Sequence, residues 1–221
     1  MIIIKDVDLA FGNDILLRSG QMRIDQQIYG LVATNGSGKT TLLRTIAGLL
    51  PLKSGEIYLT ADQTNERLPT LTKKKNLFYF ETGEWFDGNL TAADYLKFVA
   101  KQWQGNSQLI EKAVDFWEMR PFLRRPIRKY SLGMKQKTVL ALYYVANTPY
   151  WLMDEPTLGL DLDSQARFIS FMKAAKQRGT SILFSSHQND SLLSVADTFY
   201  ILDKQQLVAS AELPREWGER G

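Results

Sequence analysis

The sequence predicts an α/β fold in which a parallel sheet with flanking helices is joined by an N-terminal antiparallel β subdomain and an inserted helical subdomain. Two apolar stretches, residues 2–9 and 15–24, are separated by a Gly-Asn-Asp turn, which is typical of paired antiparallel strands. After residue 148 strand patterns alternate with helix patterns, which is typical of a parallel sheet covered by helices. Residues 85–147 carry helical patterns, and we therefore predict that they form the insertion.

The remaining core elements are predicted from apolar runs and from the residues that end them. Residues 27–33 form a buried strand that leads into a glycine-rich loop. A helix follows over residues 39–49, because Gly48 and Pro51 are residue types at which helices stop. Further strands are expected at 56–60, 76–80, 151–153, 180–185, 199–202 and 206–210, and further core helices at 162–177 and 190–196.

Side-chain caps mark the helices of the insertion. The Thr91 hydroxyl can accept a hydrogen bond from a first-turn amide, which predicts a helix from there to residue 102. Ser131 can cap a helix to residue 147 in the same way, and residues 108–119 form a helix between the two. We predict one domain over residues 1–221, with a core of 1–84 and 148–221 and a helical subdomain of 85–147.

Composition excludes several classes of function. Hydrophobic residues make up 44% and charged residues 23% of the 221 residues, which is typical of a globular domain. The chain has no cysteine, so disulfides, thiolate zinc sites and cysteine nucleophiles are excluded. Its longest apolar run, residues 139–146, is far shorter than the roughly 20 residues of a membrane-spanning helix, and we expect no bilayer crossing. A net charge of +3 without a basic arm does not favour nucleic acid as a partner.

Residues 33–41 carry the strongest chemical signal, Ala-Thr-Asn-Gly-Ser-Gly-Lys-Thr-Thr between a strand and a helix. The glycines let the backbone curl so that its N–H groups and the helix N-terminus point at an anion. Lys39 adds a positive charge for the β- and γ-phosphates of a nucleotide, and the Thr40 hydroxyl can bind Mg²⁺ beside them. The loop departs from the phosphate-loop pattern at Ala33, where that pattern has glycine. The residues predicted to bind the nucleotide are Asn35, Gly36, Ser37, Gly38, Lys39, Thr40 and Thr41.

Two acids end the apolar stretch at residues 150–155. Ligands of open α/β sheets lie beyond the carboxyl ends of the strands, so Asp154 is expected to hold Mg²⁺ directly or through water. Glu155, one residue further, is expected to orient the attacking water or accept its proton. Each motif alone has a structural alternative. Residues 33–41 could form a glycine-rich turn before an ordinary helix, and residues 150–155 could be a strand that ends in acids at a turn. Together they predict a P-loop NTPase core.

With both motifs placed, the sequence resembles the nucleotide-binding subunits of ATP-binding cassette (ABC) proteins over nearly its full length. Residues 130–135, Tyr-Ser-Leu-Gly-Met-Lys, resemble the Leu-Ser-Gly-Gly-Gln signature that separates this family from other phosphate-loop NTPases. Ser131 and Gly133 match the key positions of the signature, whereas Leu132 and Met134 replace Gly and Gln. The resemblance implies that this helix N-terminus meets the γ-phosphate held by an opposite subunit.

Four further residues take roles that the resemblance implies. Asp161 follows Leu-Gly-Leu and resembles the acid of the loop that pairs across the dimer. His187, the single histidine of the chain, resembles the switch residue that lies against the γ-phosphate. Phe11 resembles the aromatic residue that stacks on adenine, and a core phenylalanine is the alternative. Glu81 stands where the family carries glutamine; it could still offer an oxygen to Mg²⁺, but it has no amide donor and its charge would oppose the γ-phosphate.

The implied function is ATP binding and hydrolysis, with Lys39, Glu155 and His187 as catalytic residues and with ATP and Mg²⁺ as cofactors. The implied partners are a second ABC subunit, identical or different, and a transmembrane permease subunit. The form of the signature resembles subunits of bacterial exporters, which predicts export and a peripheral position at the cytoplasmic, inner face of the cell membrane. Two alternatives remain open: a soluble ABC ATPase not tied to transport, and a weakly hydrolysing ATP-sensing subunit of an asymmetric pair.

Overall fold

A computed structural model of the chain describes every residue except 13, 35, 61–65, 69–73, 104, 188–189 and 214–221. The strands are β1 (Ile2–Phe11), β2 (Asp14–Ile24), β3 (Ile28–Ala33), β4 (Ser54–Leu59), β5 (Leu77–Tyr79), β6 (Tyr150–Asp154), β7 (Ser181–Ser186), β8 (Thr198–Asp203) and β9 (Gln206–Ser210). The helices are α1 (Lys39–Ala47), α2 (Ala92–Gln102), α3 (Ser107–Phe116), α4 (Leu132–Ala146) and α5 (Leu162–Gln177), with 3₁₀ helices at Gly83–Trp85, Ile127–Lys129 and Ser191–Val195.

The first sheet is antiparallel and has the strand order β2-β1-β4. Ile2 in the central strand lies opposite Ile24 of β2 and Leu59 of β4, and all three side chains are buried. Alternating apolar residues therefore form one buried face, as the period of the two opening strands requires. This sheet is the predicted antiparallel β subdomain.

The second sheet has the order β5-β6-β7-β3-β8-β9, in which β9 alone runs antiparallel to its neighbour. It separates two apolar cores, and alternate residues of β3 belong to each. Val32 packs in the core formed with α2 to α5, while Leu31 packs in the core formed with α1 and the antiparallel sheet. A strand buried on both faces is expected in a parallel sheet, and the predicted fold class is confirmed.

The carboxyl ends of β6, β7 and β3 meet at one edge of this sheet because the three strands are neighbours and parallel. Their last residues are Asp154, Ser186 and Ala33. Ligand sites of open α/β sheets lie at such an edge. The topology thus brings the glycine-rich loop, the acidic strand end and the segment around His187 together.

The helices between β5 and β6 begin at the predicted caps. The Thr91 hydroxyl accepts a hydrogen bond from the Asp94 amide and the Asp94 carboxylate accepts one from the Thr91 amide, which is a complete capping box. Ser131 caps α4 through the Met134 amide. The Tyr143 hydroxyl of α4 donates to the Leu152 carbonyl of β6, so that this helix is tied to the main sheet.

Three predicted helices differ in extent from those observed. The helix expected over 39–49 ends at residue 47 because Gly48 adopts a left-handed φ of 80°, and the helix expected over 108–119 ends at residue 116, shortly before Glu118 with a φ of 55°. The segment expected as a helix over 190–196 is a 3₁₀ helix over 191–195. Within the described part of the chain, no helix has the length and apolar character needed to span a membrane.

We expect Thr91→Ala to lower the free energy of unfolding by about 1 kcal/mol, because it removes the cap of α2. Ser107→Ala, at the exposed first turn of α3, is the matched control and should change the free energy by less than about 0.5 kcal/mol. Urea unfolding followed by circular dichroism measures both values. Equal losses in the two variants would show that the cap has no special role.

Candidate nucleotide-binding site

The loop between β3 and α1 is curled. Gly36 has a φ of 78° and Gly38 a φ of 105°, values that residues with a side chain rarely adopt. A Cβ atom at Gly38 would also lie 3.0 Å from Cδ1 of Leu16. The Ser37 hydroxyl closes the turn by donating to the Thr34 carbonyl at 2.7 Å. The glycines therefore permit a tight main-chain turn at the N-terminus of α1, where backbone amides favour an anion.

Lys39 lies at the centre of this turn. Its ammonium group donates to the Ala33 carbonyl at 3.1 Å, and the residue is 7% exposed. Ala33 is the last residue of β3 and pairs with Leu202 of β8, so its backbone is that of an ordinary strand. That conformation does not require glycine, which explains why alanine is accepted at the first position of the pattern.

Asp154 accepts hydrogen bonds on both carboxylate oxygens. Thr40 donates to Oδ2 at 2.6 Å and the Ser185 hydroxyl donates to Oδ1. Burial raises the pKa of the Asp154 carboxyl, and these two hydrogen bonds oppose that shift only in part. Proteins commonly hold Mg²⁺ through one or two carboxylates, other oxygen atoms and substrate phosphates, and the oxygens of Thr40 and Asp154 fit that pattern. Among the described residues no cluster of three or more His, Cys, Asp and Glu side chains could enclose a metal by itself.

Glu155 and His187 face each other beyond the end of β6. The imidazole Nε2 lies 3.0 Å from the Glu155 carboxylate, and the two side chains are 33% (Glu155) and 54% (His187) exposed. The Glu155 backbone has a φ of 45°, which is unfavourable for a residue with a side chain and is typical of functional sites. Its amide is fixed by the Ser185 hydroxyl at 3.0 Å. A carboxylate held in this way can accept a proton from water at the loop.

Phe11 lies at the mouth of a cavity of about 410 Å³ whose lining includes the glycine-rich loop, Arg44 and Glu155. The Phe11 residue is 67% exposed. The alternative that Phe11 is a core residue is therefore wrong, and its ring is accessible to a planar ligand.

Glu81 is held by two donors that the sequence reasoning did not foresee. Arg44 donates to both carboxylate oxygens at 2.5 and 2.6 Å, and the Tyr79 hydroxyl donates at 2.7 Å. Burial alone would raise the pKa of the Glu81 carboxyl, but these hydrogen bonds outweigh it and hold the pKa below its usual range. A carboxylate has about four acceptor sites, so these three hydrogen bonds leave Glu81 about one for a metal ion. Arg44 follows Thr40 by four residues on α1, so the two side chains share a helix face. This spacing could have identified Arg44 as a residue of the site.

Three predicted binding residues lie outside the lining of the cavity, namely Ser131, Gly133 and Asp161. Ser131 and Asp161 cap α4 and α5. A Cβ atom at Gly133 would lie 3.0 Å from the Gly159 carbonyl, so glycine allows α4 to approach the loop before α5. Asn35, the remaining predicted binding residue of the loop, lies outside the described residues. The cavity of one chain is therefore lined by only some of the predicted nucleotide-binding residues.

Comparison with known families supports the same interpretation. The profile of a family described as ABC transporter matches residues 22–158, which is more than half of the chain. The chain belongs to the ABC transporter family. It is an ATP-binding cassette ATPase, and its family supplies the ATP-driven motors of transporters. A second profile, described as AAA domain, putative AbiEii toxin, Type IV TA system, matches the shorter stretch 123–194.

Curated relatives of this ABC ATPase carry transport names. A putative ABC transporter ATP-binding protein, AlbC of Bacillus subtilis (strain 168), is 29% identical over 211 residues, which are 92% of this chain and 88% of the relative. The cytochrome c biogenesis ATP-binding export protein CcmA of Paracoccus denitrificans (strain Pd 1222) is 35% identical over 69% of this chain and 66% of its own length. The bacitracin transport ATP-binding protein BcrA of Enterococcus faecalis is 31% identical over 85% of this chain and 61% of its own length.

Solved structures confirm the fold of the ABC cassette. An ATP-binding subunit of an ABC transporter superposes with a TM-score of 0.84 at 23% identity and covers 100% of this chain and 95% of that one. A dimeric ATP-binding cassette in a post-hydrolysis state with ADP and Pi superposes with a TM-score of 0.79 at 18% identity, over 97% of this chain and 100% of that one.

We expect Lys39→Ala to weaken Mg-ATP binding by about tenfold or more, because a hydrogen bond to a charged group contributes about 1.5–3 kcal/mol. Isothermal titration calorimetry measures the dissociation constant. Lys112→Ala removes an exposed ammonium group on α3 and is the control, with unchanged affinity. If the Lys39 variant binds Mg-ATP as tightly as the parent, the loop is not part of the binding site.

Proposed function

We propose that this ABC ATPase is the motor subunit of an exporter, in which it hydrolyses Mg-ATP between two cassettes and drives a separate transmembrane permease. The observation that carries the proposal is the grouping of the phosphate loop, Asp154 and Glu155 at one edge of the parallel sheet. Phosphate binding, a metal ligand and a proton acceptor are thereby available side by side. Transfer of a phosphoryl group to water requires these parts.

Binding of the nucleotide uses the loop and Phe11. The backbone amides at the start of α1 hold the phosphates, and Lys39 turns from the Ala33 carbonyl, 3.1 Å away, to the β- and γ-phosphates. The exposed Phe11 ring stacks on adenine. Thr40 and Asp154 would hold Mg²⁺, and the bound metal would neutralise charge on the phosphate oxygens.

Hydrolysis depends on Glu155 and His187. Glu155 orients the attacking water and accepts its proton, since its carboxylate lines the cavity together with the loop and follows Asp154 directly. The His187 imidazole, whose Nε2 lies 3.0 Å from that carboxylate, fixes the direction of the carboxylate. Most of the rate acceleration is then positioning and charge stabilisation.

A second cassette completes the site. Ser131 begins α4, whose N-terminus carries partial positive charge, yet it lies outside the cavity of its own chain. The neighbouring Leu132 and Leu158 are 57% and 58% exposed, and their contact with another cassette would remove apolar surface from water. Head-to-tail pairing, with Ser131, Gly133 and Asp161 facing the partner's nucleotide, uses these features. An identical and a different second subunit both fit this arrangement.

Coupling to a permease uses the surface between the core and the helices that follow β5. A groove of about 290 Å³ is lined by residues at the end of α1, by Tyr79 of β5 and by Trp103 after α2. Leu49, which is 56% exposed, lines this groove. An apolar segment of a permease at the inner face of the membrane would remove this side chain from water. Export is supported by the relatives, which include a cytochrome c biogenesis export protein and a bacitracin transport protein.

We expect Glu155→Gln to retain Mg-ATP binding and to slow hydrolysis by about 10²- to 10⁴-fold, the range of general base catalysis. It should also accumulate an ATP-bound dimer, because the link between the subunits is no longer cleaved. Phosphate release and size-exclusion chromatography measure the two effects. Glu111→Gln, an exposed glutamate on α3, is the control and should behave like the parent. Hydrolysis at the parent rate by the Glu155 variant would exclude it as the base.

The membrane role is tested by purification of the tagged chain from detergent-solubilised membranes of its host. We expect an integral membrane subunit to co-purify with it. Recovery of ribosomes or of a soluble scaffold would instead favour a soluble ABC ATPase. The ATP-sensing alternative is favoured by the engagement of Glu81 with Arg44, and a slow parent ATPase that Glu81→Gln accelerates would support it.

A further inference from the structure

The Glu81 carboxylate and the Arg44 guanidinium form a two-point ion pair beside the nucleotide cavity. Arg44 donates at 2.6 Å through Nε and at 2.5 Å through a terminal nitrogen, one to each carboxylate oxygen. The Glu81 side chain is only 11% exposed. An unpaired carboxylate would be costly in such a position, so the pairing is a condition for having glutamate there.

The pair connects two sides of the site. Arg44 belongs to α1, one turn after Thr40, and lines the nucleotide cavity. Glu81 begins the β5–α2 segment (residues 80–91) and lines a second groove together with Thr40, Asp154 and Glu155. Without Arg44, the negative charge of Glu81 would add to the charges of Asp154 and Glu155. Together these carboxylates would oppose the binding of a phosphate anion beside them.

We propose that Arg44 is a positioning residue for the binding of Mg-ATP in this chain, a role that rests on the proposed function. It neutralises Glu81 and fastens the start of the β5–α2 segment to the helix that carries the phosphate loop. Arg44 and Glu81 therefore act as one unit. Glutamate is accepted at a position beside the γ-phosphate because arginine stands one turn after Thr40.

The fluorescence of Trp85 can report on the ion pair of Arg44 and Glu81 in the absence of nucleotide. Its ring contacts Tyr79 and Phe80 with centroid distances of 5.9 and 5.6 Å, and it is 43% exposed. Tyr79 in turn donates to Glu81. Loss of the ion pair releases the segment, so Trp85 becomes more accessible to a collisional quencher.

The test is a double-mutant cycle of Arg44→Met, Glu81→Gln and the two together. Arg67→Met is the matched control, because Arg67 makes another two-point pair, with Glu56 at 2.6 and 3.1 Å, on the exposed surface. Calorimetry gives the dissociation constant of Mg-ATP. Acrylamide quenching of the nucleotide-free protein, with a Trp85→Phe protein subtracted, gives the accessibility of Trp85.

We expect Arg44→Met to raise the dissociation constant about tenfold, equivalent to about 1.4 kcal/mol, and the double variant to recover most of that loss. Quenching of Trp85 should increase in both single variants, and Arg67→Met should leave both readouts unchanged. If Arg44→Met does not fold, Arg44→Lys replaces it in the cycle. Lysine keeps the positive charge but has one nitrogen in place of the two that donate to Glu81. Retained affinity for Mg-ATP with increased quenching of Trp85 would therefore support the unit.

A double variant that binds as weakly as Arg44→Met would overturn the proposal, since Arg44 would then act on the nucleotide directly. Unchanged quenching in the single variants would overturn it as well. A parent chain that does not bind Mg-ATP would instead refute the proposed function, and the quenching experiment would still report whether the ion pair holds the segment.

Discussion

The hydrogen-bonded, partly buried carboxylate of Asp154 is the interaction on which the rest of the site depends. It ends β6 and accepts hydrogen bonds from Thr40 on α1 and Ser185 on β7. A carboxylate out of water is stable only when its oxygens are bonded, so these contacts fix three elements relative to one another. Lys39, Glu155 and His187 each lie within two residues of one of these anchors. Their mutual geometry therefore follows from one satisfied carboxylate and from the parallel order of the strands.

The sequence alone predicted features whose physical cause is local. The cap at Thr91, the cap at Ser131 and the curl at Gly36 follow from residues within a few positions of one another. Strand alternation and the parallel core could also be predicted, because they are periodic. Contacts between distant segments could not, since no short-range pattern specifies them. The ion pair of Arg44 with Glu81 and the contact of Glu155 with His187 are of this kind.

Two of the departures from the family pattern, at Ala33 and at Glu81, have different physical consequences. At Ala33 the backbone is an extended strand paired with β8, and a methyl group there meets no conformational constraint. At Glu81 the change introduces a charge in a largely buried place, and a charge there needs a counter-charge. The chain supplies it from Arg44 and adds the Tyr79 hydroxyl. A departure that alters only volume is absorbed locally, whereas one that alters charge involves a second element.

A single chain divides the chemistry of the reaction between two surfaces. The phosphate loop, Asp154 and Glu155 share one edge of the sheet, while Ser131 caps a helix outside that cavity. The N-terminus of α4, with its partial positive charge, is therefore available to an anion held by another chain. A γ-phosphate held by another cassette would bind this helix end only when the two cassettes are closed, and a ligand that contacts one state alone shifts the equilibrium toward it. In the proposed pairing, cleavage of that phosphate would remove the contact and would convert a bond broken in one cavity into a motion between subunits.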